Sequence, residues 1–70
     1  MKTKQLPPIA KNIKKYRATQ SISQDKLSKM AEVTLHTIAK IESGATPDPR
    51  VGTLKKITGA LGVKVDDLLE

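Results

Sequence analysis

The sequence predicts an all-α protein, a compact bundle of five short helices around one aliphatic core. Apolar residues recur at helical spacing along the chain, and only the three-residue stretch 63–65 alternates as a strand would. The chain has 70 residues and no cysteine, tryptophan or phenylalanine. One small domain without disulfide support is therefore expected, and short-range helical contacts must supply its stability.

The first two helices have recognisable starts. Pro8 suits the first position of a helix over about residues 8–18, because a helix does not need there the N–H that proline lacks. The inner face of this helix is predicted to hold Ile9, Ile13 and Tyr16. Ser23 is the predicted N-cap of a second helix over about residues 24–31. The buried residues of the second helix are predicted to be Leu27, Met30 and Ala31.

A third helix follows after a very short turn, with Thr34 as its N-cap and Gly44 as its stop. In the second and third helices, one apolar residue precedes the N-cap and another lies four positions after the N-cap. Such a pair packs the segment before the helix against its first turn. These pairs are Ile22 with Leu27, and Val33 with Ile38. Two short helices joined so tightly must cross steeply, so residues 23–43 are predicted to form a helix-turn-helix.

The C-terminal part is predicted to add two further helices. Asp48 and Pro49 suit the N-cap and first residue of a fourth helix that ends at Gly62. Its inner face is predicted to hold Val51, Leu54, Ile57, Thr58 and Leu61. A fifth helix over residues 66–70 would close the core with Leu68 and Leu69. Residues 1–7 are expected to be a flexible basic tail and residues 8–70 the folded domain.

The charge of the chain indicates a polyanionic partner. Thirteen lysines and arginines against seven acidic residues give a net charge of +6. Residues 1–35 carry eight basic and two acidic side chains, whereas residues 36–70 carry five of each. Nucleic acid fits this surplus, although an acidic protein partner would fit it equally well. Lysines on the helix surfaces are expected to supply long-range attraction: Lys11, Lys14, Lys15 and Lys29.

The composition argues against an enzyme. The chain has one histidine and no cysteine, so a histidine pair or a thiolate metal site cannot form, and its four glycines make no phosphate-binding loop. No apolar run is long enough to span a bilayer, and no secretory signal follows the basic N-terminus. We therefore expect no catalytic residue, metal, cofactor or membrane contact, and a cytoplasmic location.

The outward side of the third helix has the composition of a DNA-reading surface. At about 100° per residue, Ile38 and Ile41 point inward. The outward residues are then His36, Ala39, Lys40 and Ser43, flanked by Leu35 and Thr37. Small, polar and basic groups near a helix N-terminus suit the major groove, where base edges lie between phosphates. Each of these side chains could also simply face solvent.

The start of the second helix adds a possible phosphate contact. Ser23 and Gln24 lie where backbone N–H groups and the helix dipole can hold an anion. Ser23 and Thr34 would cap their helices without any DNA, so DNA would be a second use for them. Gln24 carries the more specific signal, because the first helical position has no evident structural need of glutamine.

Residues 23–44, SQDKLSKMAEVTLHTIAKIESG, followed by Pro49, TLKKI at 53–57 and LGV at 61–63, resemble the Cro and lambda-type repressor helix-turn-helix family (XRE-like). The resemblance covers roughly residues 9–69 and rests on Gln24, Leu27, Val33, Thr34, Ile38, Ile41, Glu42 and Gly44. It implies a lambda-repressor-like five-helix bundle that binds double-stranded DNA with its third helix in the major groove. It also implies a location at a bacterial or phage nucleoid.

The resemblance also implies roles for individual residues. Gln24 and Thr34 would contact phosphates, and Arg50 would meet a phosphate or the minor groove. The residues facing base edges or the adjacent backbone would be Leu35, His36, Thr37 and Lys40. Arg17 and Glu42 match an internal ion pair of the family, a structural role.

The chain departs from the family pattern at several positions, among them Glu32 and Leu35. Glu32 stands where the family often has glycine, so a positive φ there would strain the backbone. Leu35 stands where many relatives have a polar base reader, and leucine offers only apolar contact, for example to a thymine methyl group.

The sequence thus predicts a sequence-specific transcriptional regulator, and a repressor that acts by occupying an operator. We expect a homodimer on a near-palindromic site, with its contact formed by the C-terminal VDDLLE segment and the exposed part of the fourth helix. The alternative is an antitoxin-like or adaptor protein whose main partner is another protein. Salt dependence of DNA binding separates the two, because phosphate contacts release counterions.

Overall fold

The computed structural model describes residues 6–70, and this part of the chain is all α-helix and connecting turns, without a strand. The all-α, five-helix prediction is confirmed. The helices are α1 (Pro8–Gln20), α2 (Gln24–Ala31), α3 (Leu35–Glu42), α4 (Val51–Leu61) and α5 (Val65–Leu69). None of them is long and apolar enough to cross a bilayer.

The first two junctions use the same local device. Each helix is followed by a residue with left-handed backbone, Ser21 at φ 57° and Glu32 at φ 59°. The N–H groups of Ile22 and Val33, one residue further on, bond back into the helix they leave, both at 3.0 Å. The chain thereby passes from one helix to the next within three residues. The positive φ of Glu32 strains the backbone, as expected for a residue other than glycine. Ser21 has the same strain, which was not predicted.

Both predicted caps of the helix-turn-helix are present. The Oγ of Ser23 accepts the N–H of Lys26 at 3.0 Å, and the Oγ1 of Thr34 accepts the N–H of Thr37 at 3.1 Å. Each bond satisfies an N–H that has no partner within its own helix. As a result α2 and α3 begin where the sequence predicts, at Gln24 and at the residue after Thr34.

The core is an aliphatic cluster to which all five helices contribute. Helix α1 packs against α3 and α5, α2 packs against α3 and α4, and α4 also contacts α5. The buried members are Ile9, Ile13, Leu27, Ala31, Ile38, Ile41, Leu54, Ile57, Leu61 and Leu68. Tyr16, Ile22 and Val33 are half-buried against this cluster, in agreement with their predicted positions.

Three residues predicted to be buried lie on the surface instead. Met30 is 45% exposed, Val51 64% and Leu69 51%. In α2 the inward face is centred on Ser28 and Ala31, which are both buried, and Met30 points away from it. Val51 and Leu69 are the first residue of α4 and the last residue of α5, where the helix ends project beyond the core.

Helix α4 begins two residues later than predicted. Pro49 is not its first residue, and Arg50 takes the N-cap position with an extended backbone (φ −66°, ψ 149°). Turns and bends occupy residues 43–48, so the first helical hydrogen bond of α4 runs from the N–H of Leu54 to the carbonyl of Arg50, at 3.0 Å. Helix α1 also extends two residues beyond its predicted end, because the left-handed Ser21 and not residue polarity stops it.

Two carboxamides of α1 cap other helices, which the sequence did not reveal. The Nδ2 of Asn12 donates to the carbonyl of Leu68 at 2.7 Å, and the Nε2 of Gln20 donates to the carbonyl of Leu61 at 2.7 Å. Both acceptors lie in the last turn of a helix, where carbonyls lack partners within the helix. Helix α1 therefore holds the C-terminal ends of α4 and α5.

The segment before α1 lies against the end of α3. Residues 1–5 of the predicted tail lie outside the described residues, whereas Leu6 and Pro7 are half-buried. A Cβ on Gly44 would come within 3.2 Å of the Cδ2 of Leu6, and Gly44 has φ 85°. Glycine is needed here both for its backbone conformation and for the approach of Leu6.

Candidate nucleic-acid interface

Helix α3 has one buried and one exposed side. Ile38 and Ile41 are 0% and 1% exposed and hold the helix on the core. The exposed residues, which we call the outer face, are Leu35, His36 and Lys40. This orientation agrees with the predicted helical phase, except that Ala39 is half-buried although it was predicted to point outward. The outer face therefore presents one apolar, one imidazole and one ammonium group.

The first turn of α3 is held by two hydroxyl groups. Besides capping the helix, the Oγ1 of Thr34 lies 2.8 Å from the Oγ1 of Thr37, so the two hydroxyls hydrogen-bond to each other. Each thereby limits the rotation of the other. Thr34 is exposed and Thr37 half-buried, so the pair lies at the surface where α3 begins.

Arg17 of α1 and Glu42, the last residue of α3, form an ion pair. The Nε of Arg17 lies 2.6 Å from Oε2 of Glu42, and its Nη2 donates to Oε1 at 2.8 Å. The remaining Nη1 donates to the carbonyl of Ile22 at 3.0 Å, just before α2. One guanidinium thus joins α1, the C-terminal end of α3 and the entry to α2.

Gln24 belongs to the same network. Its Nε2 donates to Oε1 of Glu42 at 3.0 Å. The expectation that glutamine has no structural use at the first position of α2 is therefore wrong. A carboxamide has two N–H donors and one carbonyl, so this bond occupies one donor and leaves the other for a further partner. Gln24 is half-buried, at the border between the network and the surface.

The network keeps Glu42 ionised. Burial raises the pKa of Glu42, but hydrogen bonds from Arg17 and Gln24 and the charges of Arg17 and Lys14 outweigh it, so the pKa lies below its ordinary value. The pKa of Arg17 is raised, chiefly by its hydrogen bonds to Glu42 and against the effect of burial. The two charges compensate each other, so the carboxylate adds little repulsion toward an approaching polyanion.

The other predicted contact residues lie at two helix starts. Ser23 precedes α2, where its Oγ caps the helix. Arg50 precedes α4 and is exposed, and its side chain makes no cap hydrogen bond. Nothing in the structure brings the Arg50 side chain into the network around Glu42. Among residues 6–70 no group of histidine and acidic side chains is arranged to hold a metal ion.

The lysine side chains of α1, α2 and α3 are exposed to solvent, unlike Arg17. An exposed pair joins Lys29 and Asp25 at 3.2 Å, with side chains 77% and 58% exposed. Two exposed charges in water attract each other weakly, so the pair leaves Lys29 available to other anions. The exposed lysines of α1, α2 and α3 are Lys11, Lys14, Lys15, Lys26, Lys29 and Lys40.

The paired helices α2 and α3, joined by a three-residue turn within a five-helix bundle, define a helix-turn-helix domain. A family model described as "Helix-turn-helix" matches residues 13–68. The chain belongs to this family, the XRE or lambda-repressor type of helix-turn-helix. The family consists of DNA-binding transcription regulators and is not an enzyme family, and the chain is a DNA-binding regulator of the XRE type. No curated protein sequence matches the chain.

Proposed function

We propose that this protein is a cytoplasmic repressor that occupies a DNA operator with α3 in the major groove. The observation that carries the proposal is the division of α3 into a side buried by Ile38 and Ile41 and an outer face of Leu35, His36 and Lys40. A helix held this firmly by its inner side can present its outer side to a groove about 12 Å wide.

In this proposal the outer face reads the sequence. Lys40 donates to guanine or to a flanking phosphate, His36 bonds to a base edge, and Leu35 contacts a thymine methyl group. The backbone contacts come from Ser23, Gln24, Thr34, Thr37 and Arg50. These bonds position the domain without carrying sequence information, and the net charge of +6 attracts it to the duplex.

Two copies are proposed to bind together. A single domain of this size makes few base contacts, so a near-palindromic operator with recognition helices about 34–36 Å apart would double them. Occupation of such a site excludes other proteins from the same DNA, which is the proposed mode of repression.

Selection of bound duplexes from a random DNA pool tests the proposal most directly. We expect enrichment of a near-palindrome with half-site centres about one helical turn, or a multiple of it, apart. A variant with His36→Ala and Lys40→Ala should lose this enrichment, whereas Lys56→Ala, which removes an exposed lysine of α4, should retain it. Enrichment of half-sites without spacing would contradict the dimer, and no enrichment at all would contradict sequence-specific binding.

A salt titration separates this function from the adaptor alternative. Binding to the enriched duplex should weaken steeply between about 50 and 200 mM salt, because each neutralised phosphate releases counterions. If no duplex binds at low salt while the purified protein is folded, a protein partner becomes the better account of the positive charge.

A further inference from the structure

The carboxylate of Glu42 accepts three hydrogen bonds, one more than its ion pair with Arg17 supplies. Arg17 alone occupies both oxygens, through Nε on Oε2 at 2.6 Å and Nη2 on Oε1 at 2.8 Å. Gln24 adds a third bond to Oε1, at 3.0 Å. Since Glu42 is already paired, the consequence of this third bond lies mainly with Gln24, whose side chain it orients.

The bond determines which end of the Gln24 carboxamide faces the network. A carboxylate only accepts, so the nitrogen end of the amide must turn toward Glu42. The second N–H of the same nitrogen is then held at a fixed position near the start of α2. A freely rotating carboxamide would also present its carbonyl oxygen, which repels a phosphate.

The bond to Glu42 is the one side-chain hydrogen bond that Gln24 makes within residues 6–70. Ser23 directs its Oγ to the N–H of Lys26, which makes it part of the helix cap. Glu42 is buried, with 1% of its surface exposed, so it provides a rigid acceptor for a half-buried donor.

We propose that Glu42 is a positioning residue for DNA binding, which holds the Gln24 carboxamide so that its free N–H donates to a backbone phosphate. The inference rests on the proposed DNA-binding function. Arg17 contributes by fixing the carboxylate from its other side. The ion pair of α1 and α3 thereby acts on a contact at the start of α2.

The test replaces single phosphates of the selected duplex by neutral methylphosphonates, one position at a time. The wild-type protein should lose affinity about tenfold at the phosphate that accepts from Gln24. Gln24→Ala should bind the natural duplex about tenfold more weakly and be indifferent to that one replacement. Gln20→Ala, a glutamine whose carboxamide caps α4, should lower stability and leave the phosphate pattern unchanged.

The decisive variant combines Arg17→Met with Glu42→Leu. It removes the whole ion pair without leaving an unpaired buried charge, so the fold should persist. Gln24 is then present but no longer held, and the inference expects indifference to the same methylphosphonate, as for Gln24→Ala. Full wild-type sensitivity at that phosphate would overturn the positioning role. Failure of the wild-type protein to bind any duplex would instead overturn the proposed function.

A measurement on the unaltered protein covers the case in which the double variant does not fold. The Gln24 side chain gives two amide proton signals in nuclear magnetic resonance spectra. One should be shifted in the free protein by its bond to Glu42, and the other should move when the duplex is added. If DNA binds and neither signal moves, the inference is wrong.

Discussion

Arg17 and Glu42 lie 25 residues apart in the sequence, yet two hydrogen bonds of 2.6 and 2.8 Å join their side chains. The pair is buried unequally, with 19% of the Arg17 side chain and 2% of the Glu42 side chain exposed. Because the same guanidinium also holds the carbonyl of Ile22, the pair connects both helices of the helix-turn-helix to α1.

Removal of the carboxylate should destabilise the fold strongly. Glu42→Ala leaves the guanidinium of Arg17 largely buried without its counter-charge, and we expect a loss of about 3 kcal/mol in the free energy of unfolding. Chemical denaturation followed by circular dichroism measures it. Lys29→Ala is the control, since it removes an exposed ion pair and should cost less than about 0.5 kcal/mol. Equal losses for the two variants would contradict the structural role of the Arg17–Glu42 pair.

The same pair predicts a pH dependence of stability. Folding lowers the pKa of Glu42 below its ordinary value near 4.5, so the unfolded chain takes up this proton first as the pH falls. The stability that Glu42 contributes is therefore complete at neutral pH and is lost as the pH drops below about 4.5 through the lower, folded pKa. Melting temperatures of the wild type and Glu42→Gln from pH 7 to 3 should converge at the acidic end. A constant difference over this range would show that the charge of Glu42 does not matter.

Relief of backbone strain should stabilise the protein. Glu32 has φ 59° and ψ 41°, a conformation that costs a non-glycine residue about 1 kcal/mol or more. Glu32→Gly should therefore raise the free energy of unfolding by about 0.5–1 kcal/mol, after the extra freedom of glycine in the unfolded chain is taken into account. Thermal unfolding measures it as a higher melting temperature.

Two controls separate the backbone effect from the charge of Glu32. Glu32→Ala removes the charge and keeps the strain, so it should give no gain. Ser21→Gly relieves the equivalent position at φ 57° and should stabilise by a similar amount. If Glu32→Ala stabilises as much as Glu32→Gly, electrostatics and not backbone conformation limits stability there.

One carboxamide strengthens the attachment of α5 to α1. The Nδ2 of Asn12 donates to the carbonyl of Leu68, whose side chain is fully buried. Asn12→Ala should cost about 1–2 kcal/mol and speed hydrogen exchange of the α5 amides more than those of α3. Thr19→Ala serves as the control, because its hydroxyl bonds only to the carbonyl of Lys15 within α1 and is exposed. Uniform acceleration of exchange in all helices would argue against a local attachment.

Local signals explain why α2 and α3 could be predicted closely. Ser23 and Thr34 act on residues only three positions ahead, and apolar spacing fixes which side of α3 is buried. The late start of α4 was not predicted, because Asp48 followed by Pro49 is a typical helix start. In the structure, turns and bends continue through residue 48 and the helix begins after Arg50. The predicted burial of Met30 is wrong, because apolar spacing in a helix of eight residues does not determine closely which side faces the core.

The contacts that organise the candidate site were harder to predict, since they join distant parts of the chain. Gln24 and Glu42 are 18 residues apart, and Asn12 and Leu68 are 56 apart. No periodicity or cap pattern specifies such pairs. The Arg17–Glu42 pair is expected only through the family resemblance. For the third partner, Gln24, the sequence indicates no structural role, because its position on α2 shows nothing of the carboxylate behind it.

The outer face of α3 yields a prediction that separates DNA binding from folding. Lys40 is exposed while its neighbours Ile38 and Ile41 hold the helix to the core, so Lys40→Ala should leave the melting temperature nearly unchanged. Affinity for the selected duplex should fall by about 1–3 kcal/mol if Lys40 reads a base, with relaxed specificity at one position. If it contacts a phosphate, the loss should be uniform over sequences, and the salt slope should fall by about one.

Lys56→Ala, which removes an exposed lysine of α4, is the charge-matched control measured by the same anisotropy titration. Equal losses for the two lysines would assign the effect to net charge and remove Lys40 from the interface.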